Sequence, residues 1–166
     1  MATPTTLPAS FTAGQVLTAA QLNDLRGAFR ILQVVTATST TNTTTTSTSF
    51  VTSNLSASIT PSATSSKVLI LVTQGAFYNN AANAEIYATI FRGTVAGTNL
   101  ATTATVGFAT EFPVGVGNVS MNFLDSPSTT SAQTYTVGIR SAGGAATANW
   151  GYQSSTGIIT LLEVSA

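Results

Sequence analysis

The chain has 166 residues, no histidine, no cysteine, five basic and five acidic side chains, and a formal net charge of zero. Without His or Cys, the usual carriers of acid–base and thiolate chemistry at neutral pH are missing, and so are disulfides and thiolate metal sites. With so few cations to neutralise phosphates, nucleic acid and anionic membranes are poor partners. Hydrophobic residues make up 43% of the chain, enough to bury a core, and the length fits one domain with short appendages.

Residues 1–16 read as an extended arm, because Pro4 and Pro8 oppose helix. Thr18 to Arg30 is the one segment with helical character. Thr18 and Gln21 have the spacing of a capping box, and Leu17 and Leu22 that of a hydrophobic staple. Leu22, Leu25, Phe29 and Leu32 recur at helical spacing on one face. A helix this short needs a packing partner. Either its own domain or a short bundle about a symmetry axis would serve. Residues 1–35 are therefore expected to form an arm and helix for attachment and oligomerisation. Residues 36–49, nearly pure Thr and Ser from Thr38 on, read as a flexible loop or hairpin tip.

From Phe50 the pattern is all-β, and residues 50–166 are expected to form a head domain. The spacing predicts strands over 50–60, 67–77, 84–92, 99–109, 118–124, 134–141, 146–152 and 157–164. Turn signals such as Thr60-Pro61-Ser62 and Asp125-Ser126-Pro127 separate them. Many short strands without intervening helices predict an antiparallel sandwich or barrel. Tyr135, Val137 and Ile139 alternate with Thr134, Thr136 and Gly138, which predicts one wet face. Other strands are apolar on both faces. Val68 and Ile70 oppose Leu69 and Leu71; Ile159 and Leu161 oppose Ile158, Leu162 and Val164; Ile86 and Ile90 oppose Tyr87 and Phe91. Such strands need two covers. One is the facing sheet, and a second copy of the chain is the economical other. Leu69, Leu71, Ile159 and Leu161, with Leu22, Leu25 and Phe29 of the helix, are the expected oligomer interface.

Chemistry has few carriers. A Ser–Lys pair would have to recruit Lys67, which reads as a solvent-facing strand start. Glu85, Glu111, Asp125 and Glu163 are the acids of the β region, and none lies in a catalytic motif. Asp125 reads as a turn residue capping local N–H groups, and Glu163 as a charge paired with Arg140 or Arg92. Gly115-Val116-Gly117 is too short for a phosphate loop. Three glycosylation sequons, at Asn42, Asn54 and Asn118, are discounted as chance matches in a Ser/Thr-rich chain. No catalytic residue, metal ligand or cofactor is expected. The longest aliphatic run, Val68 to Val72, is far too short for a membrane span, so no insertion is expected, and no secretory signal is read at the N-terminus. What remains is surface recognition. Tyr78, Asn79 and Asn80 in one loop, with Asn83 nearby, and Trp150 and Tyr152 in another, could stack on a sugar or grip a partner.

Phe11-Thr12-Ala13-Gly14-Gln15-Val16-Leu17-Thr18-Ala19-Ala20-Gln21-Leu22-Asn23 resembles a segment near the N-termini of many bacteriophage tail and fibre proteins. Ser58-Ile59-Thr60-Pro61, Ser65-Ser66-Lys67-Val68-Leu69, Phe123-Leu124-Asp125-Ser126-Pro127, Thr134-Tyr135-Thr136-Val137 and Ile159-Thr160-Leu161-Leu162-Glu163-Val164 resemble, in order, recurrent patterns of phage fibre heads. The resemblance implies a non-enzymatic component of the extracellular virion. It also implies a jelly-roll head similar to the tumour-necrosis-factor type, preceded by the short helix and assembled as a homotrimer. A short tail fibre or tail-associated adhesin is the expected role, with a capsid decoration or cement protein as the alternative. The partners implied are other copies of the chain, further virion proteins held through the arm, and a host-surface glycan. The chain departs from long fibres in lacking a repetitive shaft.

Overall fold

The computed structural model describes residues 14, 16, 18, 31–82, 84–101, 106–108 and 115–165. The expected helix over 18–30 lies outside the described residues apart from Thr18, and so do Leu22, Leu25, Phe29 and Asn83. The strands are β1 Ile31–Ser39, β2 Thr43–Thr45, β3 Val51–Ile59, β4 Lys67–Asn79, β5 Ile86–Arg92, β6 Thr98–Asn99, β7 Val106–Phe108, β8 Gly115–Asp125, β9 Gln133–Ser141, β10 Ala148–Trp150 and β11 Gly157–Val164.

Pairing is antiparallel throughout and builds two sheets. In the first, β11 runs along the lower part of β4 and β10 along its upper part, so the two form one row; β1 and β2 form the next row in the same way. β8 flanks β4 on its other side. The second sheet orders β3, β9 and β5, with β6 and β7 sharing the far side of β5. Numbered in chain order, the eight rows run 1-8-3-6 in one sheet and 2-7-4-5 in the other. That is the jelly-roll arrangement, an antiparallel β-sandwich closed by chain crossings between its sheets.

The core fills the space between the sheets. Val68, Ile70 and Val72 of β4, Ile159 and Leu161 of β11, Ile86 and Ile90 of β5, and Tyr135, Val137 and Ile139 of β9 are all buried there. Each such side chain contributes about 1.5–3 kcal/mol by leaving water. The register explains the choice of face. Leu161 pairs with Ile70 and Ile159 with Val72, all inward, whereas Leu162 pairs with Leu69 and points out. Ile159 and Leu161, expected at a subunit interface, are thus core residues of the protomer. Both faces of this strand are apolar, so periodicity alone could not choose between them.

Ile31 to Thr38 alternate as a strand does, with Ile31, Gln33 and Val35 set against Leu32 and Val34, and they form most of β1, paired with β11. Two further expectations change. The Thr/Ser run is built into the sandwich through β2. Its hydroxyls serve the backbone: Thr45 Oγ1 accepts from Ser47 N–H at 3.0 Å, and Ser47 Oγ accepts from Ser49 N–H at 3.0 Å. The outer face of β9 is exposed at Thr134 but covered at Thr136 and Gly138. Gly138 is buried against Phe91, and a Cβ there would stand 2.7 Å from the Phe91 ring, so only glycine lets the ring lie flat on the strand.

Candidate interaction surfaces

Direct cross-strand pairing carries Val34, Leu162, Leu69 and Leu124 across all four rows of the first sheet on its outer face. Residues paired this way stand about 4.5–5.5 Å apart and form one surface. Val34 is 57% exposed, Leu124 50%, and nearby Leu71 and Ile158 40% and 38%. Large apolar side chains grouped like this, rather than scattered, mark an interaction surface. Leu69 and Leu71 therefore lie on the expected face. Ile158, Leu162, Val34 and Leu124 share this outer face, whereas Ile159 and Leu161 do not. Thr36 and Thr160, with hydroxyls 3.3 Å apart, lie in the same row as Leu71.

A bulge in β4 between Gln74 and Phe77 reverses the alternation near the upper end. It sends Phe77 into the core and Tyr78 outward. Trp150, expected at a surface, is fully buried and meets Phe77 edge-on, with ring centroids 5.6 Å apart. Asn79 is fully buried too, because its side chain closes the turn after β4: Nδ2 donates to the Ala84 carbonyl and Oδ1 accepts from Ala81 N–H. Asn80 remains at the surface and accepts from Thr147 N–H at 2.7 Å, tying two loops together. Of the five recognition candidates, Tyr78, Asn80 and Tyr152 reach the surface. Tyr78 and Tyr152 lie stacked, 4.4 Å between centroids with planes 9° apart. Asn149, which pairs with Tyr78 across the strands, was missed from sequence because its face depends on that bulge.

The charges act as fasteners, with partners other than those expected. Glu163 is fully buried and pairs with neither Arg92 nor Arg140. Its Oε1 accepts from the Ser62 N–H and hydroxyl, both at 2.6 Å, and Oε2 from Gln33 Nε2 at 2.7 Å. Burial alone would raise this carboxyl's pKa. The bonds from Ser62, Ser66 and Gln33 outweigh it and hold the pKa down at about 2. Asp125 does not cap its own turn. It accepts from the Tyr135 hydroxyl at 2.8 Å and faces Arg92 Nε at 3.6 Å. Burial and the Asp125 bond push the Tyr135 phenol far above its usual range. Arg140 lies over the rings of Tyr87 and Phe50, 4.3 and 5.2 Å from their centroids. Lys67 is exposed, as its place at a strand start predicted.

The two ends of the sandwich therefore differ. Ile31, which receives the N-terminal segment, pairs with Val164, and Val164 with Lys67 at the start of β4. Tyr78 is at the other end of β4, roughly 35 Å away at about 3.3 Å per residue. No family model and no curated protein matches the chain. It is similar to solved viral capsid structures. One, of infectious bursal virus derived T=1 particles, has a TM-score of 0.45 at 16% identity over 80% of this chain and 36% of that one. The T13 particle of the same virus gives 0.45 at 14% over 83% and 36%. The VP2 subviral particle of infectious bursal disease virus gives 0.43 at 16% over 80% and 37%. The chain thus spans about a third of the length of the chains it matches. Likeness of that extent assigns neither kinship nor role.

Proposed function

We propose that the chain is a non-enzymatic structural protein of a phage virion, a short tail fibre or tail-associated adhesin that forms homotrimers and contacts the host surface. The observation that carries this reading is the exposed apolar band from Val34 to Leu124 among the described residues of the jelly roll. A folded domain that leaves such a band bare is built to associate, and jelly rolls serve widely in viral shells and lectins. The sequence resemblance to phage fibre heads supplies the phage context. The polarity of the sandwich supports the orientation. β1, which follows the Leu22, Leu25 and Phe29 segment in the sequence, begins beside the apolar band, so this end would face other virion proteins and sister copies. The Tyr78 end points away, toward a host glycan.

The test is the position and number of copies on purified particles, read by imaging and gel densitometry. A few copies at the tail tip, in multiples of three, are expected. Hundreds of copies over the head would replace the adhesin by a capsid decoration protein, and absence from the particle would end both.

A further inference from the structure

The upper outer face of the first sheet differs chemically from the apolar band below it. Thr44, Asn149, Tyr78 and Val116 are directly paired across it. Tyr152 lies flat over Tyr78. The turn that presents Tyr152 carries left-handed backbone at Gly151, Gln153 and Ser154, with φ of 75°, 54° and 59°. Gly151 tolerates this, and its Cβ position is blocked by the Thr41 carbonyl at 2.6 Å. Gln153 and Ser154 are strained there. Beneath this arrangement, Asn149 is only 7% exposed although it stands on an outer face, and its Oδ1 has no hydrogen-bond donor. A buried acceptor without a donor is costly and rare.

We propose that Tyr78 and Asn149 form a binding site for a neutral pyranose ring, and that Tyr152 is its lid, holding in the free protein the place the sugar takes. A pyranose offers both groups the site lacks. Its apolar C–H face stacks on the Tyr78 ring, and one ring hydroxyl donates to Asn149 Oδ1. The tyrosine ring that now covers Tyr78 supplies the stacking without that donor. Thr44 and Val116, which complete the row, are uncharged, so the site selects a neutral sugar over an anionic one. The strained turn makes displacement of Tyr152 cheap, because opening relieves the left-handed residues. The site gives a chemical class to the host-glycan contact proposed above and rests on that reading for its biological meaning.

Saturation-transfer NMR on the full chain, with methyl glucoside, galactoside and mannoside and with glucuronate as the anionic control, tests it. At least one neutral pyranoside should receive saturation, mainly on one ring face. Tyr78→Ala should weaken binding at least tenfold, and Asn149→Ala about fivefold. Tyr152→Ala should strengthen it about two- to tenfold, since a competing aromatic pair is removed. Emission from Trp150, the single tryptophan, reports whether each variant is folded. If Tyr78→Ala fails to fold, Asn149→Ala decides the matter. Three outcomes overturn the site: no saturation in either the parent chain or Tyr152→Ala, loss of binding on Tyr152→Ala, or preference for glucuronate. Each can occur while the protein still sits at the tail tip, so failure of the sugar site and failure of the virion role are separable.

Discussion

The outer faces of the two sheets are built from similar side chains and end in opposite states. On the β3–β9–β5 sheet, Phe91 lies on Gly138, Phe50 meets Phe91 edge-on at 5.3 Å, and Arg140 spreads over Phe50 and Tyr87. The segment after β5 adds to this cover, with Val95 beside Gly138 and Asn99 accepting from the Thr89 hydroxyl at 2.8 Å. On the β1–β11–β4–β8 sheet, Val34, Leu69, Leu71 and Leu124 stand out with no such blanket among the described residues. The need for a second cover, inferred from strands apolar on both faces, thus has two answers. Among the described residues the chain covers one sheet itself and leaves the other exposed.

The sharpest way to break this contrast is to truncate matched side chains on the two faces. Phe91→Ala should cost about 3–5 kcal/mol in urea unfolding, as for a buried ring. Leu124→Ala, measured at concentrations where the chain is monomeric, should cost less than about 0.5 kcal/mol, as for a surface site. Equal losses would mean that Leu124 is already covered within the protomer.

Where the sheets meet at the lower end, Glu163→Gln should cost on the order of 3 kcal/mol at pH 7. The folded-state pKa is depressed from 4.5 to about 2, so the carboxylate stabilises the fold above pH 4.5 and loses that contribution as pH falls toward 2. Acid titration of stability should accordingly be steeper between pH 4.5 and 2 for the parent than for the variant.

Gly138→Ala should cost about 1–3 kcal/mol, because the new methyl displaces Phe91. Parent-like stability would show that Phe91 is not anchored on β9. The smallest effect on folding is expected from Leu69→Ser with Leu124→Ser, within about 1 kcal/mol. Light scattering should nevertheless show the oligomer reduced to monomer. An unchanged oligomer would move the interface elsewhere.

Much of the sandwich was readable from alternation alone. Each of the eight expected strand segments contains strand, since β-branched residues between turn residues have few other options. Facing was harder. Ile159 and Ile158 are chemically equivalent, and only the pairing of β11 with β4 tells them apart. Tyr78 and Trp150, both expected at the surface, parted for a related reason: Tyr78 stays there and Trp150 is buried. One extra residue in β4 reversed the alternation, and no local signal in Gln74-Gly75-Ala76-Phe77 announces it. Glu163 found Ser62, 101 residues away, and Asp125 found Tyr135 on the facing sheet, pairings that spacing could not suggest.

By itself the sequence determined the class of fold. Lack of His and Cys removed the common chemistry, and strand patterning with turn residues dictated an antiparallel β fold. These are local properties, written residue by residue. Which apolar face is buried, which is left exposed, and which aromatic side chains meet solvent were decided only by the tertiary structure. Those outcomes depend on register, on one bulge, and on which distant strands lie side by side.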